Sequence, residues 1–302
     1  MELLYTAITT PFTEDYQVDY NTLVIHMKIL LNNNSGIVLF GTTGECPTLN
    51  ISEKVAIIKY LDGFLTADDK AKFIIGVGGN NTKECMEMAE LATHYNYTNI
   101  MVTTPYYNKP SQHGLYSHFK TIADYHLNIC ADSNVVLYNV PGRCVINLAP
   151  DTVKLLCKDC PNITAIKEAS GNISQAITLK TLIPKLKVYS GDDALLVPMM
   201  SIGASGLISV ISNIFPKQIH EILTHCKNSQ FELAFCKYQK YHNFTELMFC
   251  ESNPVPIKFA LYYTELYKTP FVRLPLEQLA ETNKERIIKE MNSNIYDKTD
   301  SH

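Results

Sequence analysis

Eight short apolar, largely β-branched runs recur through the first two-thirds of the chain, and their rhythm restricts its fold more than any other feature. They are Leu4–Thr9, Gly36–Phe40, Phe73–Val77, Asn99–Thr103, Val135–Tyr138, Ile163–Lys167, Lys187–Ser190 and Gly206–Val210. Most are nearly continuous in Val, Ile, Leu or Phe rather than alternating with polar residues. Strands buried on both faces of a parallel sheet read this way. Between them lie stretches of helical periodicity: Tyr20–Leu31, a stretch opening at Asn50, Thr82–Tyr95, Gln112–Tyr125, Pro150–Leu156, Ile173–Leu182, Ala194–Ile202 and Phe215–Cys226. At Asn50 the signal is clearest. Asn50 can cap a helix, Glu53 completes a capping-box pair, and Val55, Ile58, Leu61 and Leu65 follow as an apolar stripe.

Parallel neighbours need long crossovers, which helices supply. Strand–helix units repeated eight times predict an α/β chain closed into a (β/α)8 TIM barrel. An open doubly wound sheet is the alternative, but it calls for a G-x-G-x-x-G or P-loop after an early strand, and Gly76-Val77-Gly78-Gly79 lacks that spacing. After about residue 226 the rhythm changes, and Glu232–Phe249, Pro256–Leu266 and Leu276–Met291 all read as helix. The expected division is a catalytic barrel over residues 1–226 and a small C-terminal helical domain over 227–302. That domain ends in a polar tail, and the polar stretch from Thr282 to His302 is expected to fray.

Composition excludes several classes of function. The 302 residues are 46% hydrophobic with a net charge of −4, which suits a large core and argues against a nucleic-acid surface. No apolar run approaches a membrane span, and the N-terminus lacks the basic and apolar regions of a signal peptide, so a soluble, unexported, cytoplasmic protein is expected. Nine cysteines, an odd number scattered along the chain, do not make a disulfide framework. Cys157-Lys158-Asp159-Cys160 is a lone CxxC without a second pair at zinc spacing. The nine histidines include no H-E-x-x-H, Asp192-Asp193 is a poor ligand pair for one ion, and no G-x-S-x-G elbow occurs. Neither a metal nor a cofactor is expected.

Barrel enzymes carry their catalytic groups at the C-terminal ends of the strands. The unusual residues of this chain collect there: Gly41-Thr42-Thr43-Gly44-Glu45, Thr103-Thr104-Pro105-Tyr106-Tyr107-Asn108, Tyr138-Asn139-Val140-Pro141-Gly142-Arg143, Lys167-Glu168 and Ser190-Gly191-Asp192-Asp193. Lys167 ends Ile163-Thr164-Ala165-Ile166, a strand with no other charge. Burying an ammonium is costly, and a buried lysine is apt to react with a carbonyl as the free amine. Equally, Lys167 can reach outward and pair with Glu168. Thr42 and Thr43, flanked by glycines, suit a small nest for a carboxylate, although strand–helix turns favour the same residues. Tyr106, Tyr107 and Tyr138 could relay protons, or serve only as packing among the 18 tyrosines. Arg143 follows a Pro-Gly turn and is expected on a loop, where its guanidinium either clamps a carboxylate or sits on the surface.

The sequence closely resembles the dihydrodipicolinate synthase family, within the pyruvate-dependent aldolase superfamily that includes N-acetylneuraminate lyase. The stretches that carry the resemblance are VLFGTTGECPTLN, VTTPYYNKPSQHGLYSHF, VLYNVPGR, ITAIKEASGN, YSGDDALLVPMMSIGASGLISV and ESNPVPIKFAL, between about Leu4 and about Pro275. The resemblance implies condensation of pyruvate with L-aspartate 4-semialdehyde to 4-hydroxytetrahydrodipicolinate, in lysine and diaminopimelate synthesis. It implies that Lys167 forms the Schiff base, that Thr42 and Thr43 hold the pyruvate carboxylate, and that Tyr138, Thr43 and Tyr107 relay protons. Tyr107 would reach into a neighbouring subunit of a homotetramer built as a dimer of dimers. Arg143 would bind the second substrate's carboxylate, and Gly191 and Ile208 would line the pocket through their backbones.

Lysine-regulated members of the family carry a feedback pocket. Asn80, Glu84 and Tyr106 match three of its positions, but Ile51 and Lys54 stand where the regulated bacterial type has histidines. Lys54 would repel the ammonium of a lysine effector, so weak or absent inhibition is expected. Two other functions remain open: a sister aldolase that cleaves a sugar acid or hydroxy-oxo acid, and a silent barrel that binds a small oxo acid. Arg143 within YNVPGR favours the semialdehyde over a sugar acid.

Overall fold

The computed structural model describes residues 1–292, and the last part of the expected polar tail lies outside the described residues. Each of the eight apolar runs forms a strand: β1 (Leu4–Ala7), β2 (Gly36–Leu39), β3 (Phe73–Gly76), β4 (Asn99–Thr103), β5 (Asn134–Asn139), β6 (Ile163–Glu168), β7 (Lys187–Ser190) and β8 (Gly206–Ser209). They follow one another in sequence order around a closed barrel, as expected for the (β/α)8 architecture. Nearly every strand residue is buried, which accounts for the absence of apolar–polar alternation.

The connecting helices are α1 (Tyr20–Asn32), α2 (Ile51–Asp62), α3 (Ala67–Lys70), α4 (Thr82–His94), α5 (Gln112–Ile129), α6 (Pro141–Cys144), α7 (Pro150–Asp159), α8 (Ile173–Leu182) and α9 (Leu196–Ser201). After β8 come α10 (Pro216–Lys227), α11 (Phe231–Leu247), α12 (Val255–Tyr263) and α13 (Glu281–Glu290). Local chemistry sets several starts. Asn50 Oδ1 accepts from the Glu53 N–H at 2.9 Å and Glu53 Oε2 accepts from the Asn50 N–H at 3.0 Å, the reciprocal cap the sequence predicts. A second such box, Thr66 with Asp69, opens the short α3, which periodicity does not reveal because the helix is a single turn. Proline stands in the first turn of α6, α7 and α10, where its missing N–H costs nothing.

Fraying from Thr282 is not what occurs. Polar α13 runs to Glu290 because Ile287 and Met291, four residues apart on one face, are both fully buried. Its entry is tied down as well: Glu251 Oε1 accepts from the Ala280 N–H at 3.0 Å and from Asn283 Nδ2 at 2.7 Å. None of the described helices is long and apolar enough to cross a membrane. None of the nine cysteines forms a disulfide, and burial pushes the thiols of Cys157 and Cys160 up to about 12 and about 11.

The chain divides into two compact units, one holding Met1–Glu2 and Leu65–Ile208, the other Leu3–Phe64 and the residues from Ser209 onward. In the first unit β3 to β8 pair in parallel. Their register shifts once: Val135 lies opposite Ile163, but the next residue, Val136, lies opposite Ala165. A regular ladder would set Ile166 beside Tyr138. With Thr164 as the extra residue, Lys167 takes that place. In the second unit β1 and β2 pair in parallel, and several buried polar side chains find partners within the unit. The Thr6 hydroxyl meets those of Ser35 and Ser212, each at 2.7 Å. His26 Nε2 donates to the Asn213 carbonyl at 3.0 Å, and its Nδ1 meets the Tyr267 hydroxyl at 2.9 Å.

Candidate active site

Lys167 lies one residue from the end of β6 and is only 6% exposed. The register that sets it beside Tyr138 turns both side chains to the same face, and Lys167 Nζ rests 4.4 Å from the centre of the Tyr138 ring. Among the described residues it makes no ion pair. The alternative pairing with Glu168 does not form, because neighbours along a strand face opposite sides. Glu168 turns to its cross-strand partner Asn139, whose Nδ2 donates to Oε1 at 3.2 Å and to Oε2 at 3.1 Å. The Ser170 N–H and Gln175 Nε2 complete its shell at 2.8 Å and 2.9 Å. Asn139 also accepts from the Leu148 N–H at 2.9 Å and donates to Asn147 at 2.8 Å. Glu168 therefore binds together the segments after β5 and β6, and the lysine beside it is left with an aromatic face rather than an anion.

Gly191 has a larger part here than lining. A Cβ at this position would stand 2.6 Å from Ala169 Cβ, 2.9 Å from Lys167 Cε and 3.1 Å from Lys167 Cγ. Only a glycine lets the lysine stem pass. Ile208, near the end of β8, is buried in the same unit.

The loop after β4 carries Tyr106 and Tyr107. Thr104 donates to the Tyr138 carbonyl through both its N–H, at 2.9 Å, and its hydroxyl, at 2.8 Å, so the loop starts from a fixed point beside β5. At its tip the Asn108 N–H donates to the Tyr106 carbonyl at 2.7 Å, closing a tight turn around Tyr107 at φ 67°. That left-handed conformation is strained for a tyrosine, and the side chain is 85% exposed. Arg143 is exposed but lies within the single-turn α6 rather than on an open loop, because Pro141 starts a helix that ends at left-handed Val145.

In the second unit, the turn after β2 folds on itself. The N–H groups of Gly44 and Glu45 donate to the carbonyls of Gly41 and Thr42 at 3.1 Å and 3.0 Å, and Thr10 Oγ1 donates to the Gly44 carbonyl at 2.7 Å. The N–H groups of Thr42 and Thr43 do not enter this set of bonds. Thr42 is half-buried and Thr43 buried. Asn253 Nδ2 donates to Thr43 Oγ1 at 3.0 Å, which leaves the Thr43 hydroxyl proton to point elsewhere. Glu45, at φ 54°, makes a fully buried ion pair of 2.7 Å with Lys258.

Sequence reasoning gave no role to Asn253, Glu45 or Lys258. A signal for Lys258 was present, since it is the lone charge in Val255–Tyr263 just as Lys167 is the first in its strand. Of the residues matched to a feedback pocket, three stand in the first unit and two in the second. Asn80 Nδ2 approaches the Tyr106 carbonyl at 3.5 Å, and exposed Glu84 accepts from Asn81 at 2.7 Å, both in the first unit. Ile51, exposed, and Lys54, half-buried, stand on α2 in the second.

Fold and site define a (β/α)8 barrel whose sixth strand presents a buried, anion-free lysine against a tyrosine ring. The sequence matches the dihydrodipicolinate synthetase family over residues 1–294, and the chain belongs to that family. Among its relatives, the 4-hydroxy-tetrahydrodipicolinate synthase of Endomicrobium trichonymphae is 39% identical over 290 residues, covering 95% of this chain and 96% of its own. That of Methanococcus maripaludis strain C6 is 38% identical over 294 residues, covering 97% and 98%. The crystal structure of dihydrodipicolinate synthase from Aquifex aeolicus superimposes with a TM-score of 0.91 at 32% identity, covering 97% of each chain.

Proposed function

We propose that this chain condenses pyruvate with L-aspartate 4-semialdehyde to 4-hydroxytetrahydrodipicolinate, in lysine and diaminopimelate synthesis, through a Schiff base on Lys167. The observation that carries the reading is Lys167 itself, buried with its Nζ 4.4 Å from the centre of the Tyr138 ring and its stem in the groove that Gly191 keeps open. The amine adds to the pyruvate carbonyl, the carbinolamine loses water, and the iminium loses a methyl proton to become an enamine that attacks the aldehyde. Lysine thus supplies its own electron sink. Tyr138 is the proton carrier beside the amine, with Thr43 and Tyr107 completing the relay. Thr42 and Thr43 hold the pyruvate carboxylate, Gly191 and Ile208 line its pocket, and Arg143 receives the carboxylate of the semialdehyde.

Tyr107 acts in the site of a neighbouring copy, in a homotetramer built as a dimer of dimers. The strained backbone and 85% exposure of this tyrosine suit a side chain offered to a partner. Asn80, Glu84 and Tyr106, with Ile51 and Lys54 in the remaining positions, form an effector pocket that accepts lysine poorly.

Borohydride reduction in the presence of pyruvate tests the core of the reading. A stable adduct is expected on the Lys167 peptide by mass spectrometry, and none in Lys167→Ala. The purified protein should turn over the semialdehyde when this, N-acetylneuraminate and 2-keto-3-deoxygluconate are each offered. Turnover of a sugar acid with none of the semialdehyde would transfer the assignment to a sister aldolase, and absence of both adduct and turnover would leave a binding protein.

A further inference from the structure

Lys258 is a second lysine held in apolar surroundings, and no step of the proposed reaction uses it. It sits in the first turns of α12 between Ile257 and Phe259, both buried, and its own side chain has no exposed surface. Nζ donates to Glu45 Oε1 at 2.7 Å and lies 4.0 Å from the centre of the Phe12 ring. Burial pulls Lys258 down to about 8, against the pull of Glu45, which holds the proton on, while the charge of Arg273 works with burial.

The other Glu45 oxygen accepts from the Arg273 N–H at 2.9 Å. The Arg273 guanidinium is committed elsewhere, to Glu53 at 3.0 Å and 2.6 Å, to the Tyr16 carbonyl at 3.1 Å and 2.7 Å, and to the Thr48 carbonyl at 3.0 Å. Lys258 is therefore the cation that answers the Glu45 charge directly.

A buried ion pair is weak evidence for stability, because an apolar pair of the same shape often does as well. What it does fix is geometry. Glu45 ends the Gly41–Glu45 turn in a left-handed conformation that an unanchored glutamate would avoid. The segment that supplies Lys258 also supplies Asn253, which donates to Thr43 Oγ1. One stretch of chain thus holds the threonine turn at two points, through partners 210 and 213 residues away in sequence.

We propose that Lys258 and Glu45 are positioning residues for the substrate carboxylate: their ion pair, with the Asn253 hydrogen bond, sets the turn so that Thr42 and Thr43 present their N–H and hydroxyl groups to pyruvate. This rests on the reading that those threonines bind the carboxylate. Two variants test it. Lys258→Met leaves the Glu45 carboxylate buried and unpaired, so it is expected to fold poorly. The double variant Glu45→Gln/Lys258→Met removes both charges, keeps the volumes, and leaves Gln an oxygen for the Arg273 N–H.

Measurements are the thermal transition, the steady-state constants for each substrate, and the pyruvate dependence of borohydride trapping on Lys167. The double variant should unfold cooperatively, with KM for pyruvate raised about tenfold or more, and KM for the semialdehyde and kcat changed by less than about threefold. A double variant with the wild-type pyruvate KM overturns the proposal, as does an equal rise in both KM values. A double variant that fails to fold overturns it too, since the pair would then serve the fold rather than the turn. Wild-type trapping in the same experiment separates the two claims. If wild type is not trapped, the functional reading falls and the proposal with it; if wild type and double variant are trapped alike, only the proposal falls.

Discussion

Replacing Gly191 with alanine probes the reactive lysine without removing any ionisable group. The added methyl would lie 2.6 Å from Ala169 Cβ and 2.9 Å from Lys167 Cε, whereas carbon atoms pack comfortably at about 3.5–4.0 Å. The two backbone segments cannot simply part. Gly191 N–H donates to the Glu168 carbonyl at 2.8 Å, and Ala169 N–H donates to the Asn139 carbonyl at 2.9 Å. The softest neighbour is the lysine stem, which must give way by roughly 0.6–1.1 Å to restore ordinary contact at Cε. A misplacement of about 1 Å at a reacting group costs about 10²-fold in rate, or about 2.7 kcal/mol of barrier. The residual overlap with Ala169 adds about 1–3 kcal/mol of destabilisation. Expected results for Gly191→Ala are therefore a kcat/KM down about 10²-fold, slower borohydride trapping by pyruvate, and a lowered Tm. A variant that retains wild-type kcat/KM within about threefold, with unchanged trapping, would refute the argument that Gly191 exists to let Lys167 pass.

Three further outcomes are expected. Tyr138→Phe and Tyr107→Phe should each lower kcat by about 10²–10⁴-fold while leaving the fold intact, and an unchanged rate removes that tyrosine from the relay. His26 and His118 are each pushed down to about 4 from 6.5, His26 by burial that outweighs its bond to the Asn213 carbonyl, His118 by burial alone. The unfolded chain binds the protons that these folded histidines refuse, so stability present above pH 6.5 is lost as pH falls towards 4, by about 3 kcal/mol for the fully buried His26. Urea midpoints should decline between about pH 7 and about pH 5, where few carboxylates titrate, and a flat profile would contradict the neutral buried histidines. Lysine should inhibit weakly or not at all in a steady-state assay, because Lys54 would set a cation against the ammonium of the effector in the proposed pocket. A sub-millimolar inhibition constant would show that Lys54 does not oppose the effector.

Local pattern was enough to locate every strand of the barrel, because runs buried on both faces leave a continuous apolar signature that needs no partner to be recognised. The Asn50–Glu53 cap was legible for the same reason: both of its bonds close within four residues. Short α3 and α6 were not, since one turn has no period, and polar α13 was read in part as fraying because its two anchors, Ile287 and Met291, are too few to mark a stripe. Lys167 stood out as a charge at the end of an apolar strand, and the family resemblance then supplied roles that spacing alone left open.

The number, order and approximate limits of the elements, and the residues gathered at strand ends, can be read from consecutive residues alone. Which of these residues face one another depends on how the chain packs. The register shift at Thr164 sets Lys167 rather than Ile166 beside Tyr138, and sends Glu168 to Asn139 on the other face. The Glu45–Lys258 pair joins residues 213 apart, and the clearance at Gly191 depends on a neighbouring strand. Periodicity within one strand or helix is a property of consecutive residues, whereas register, cross-strand contact and the fit of one side chain past another's backbone arise only when distant segments pack.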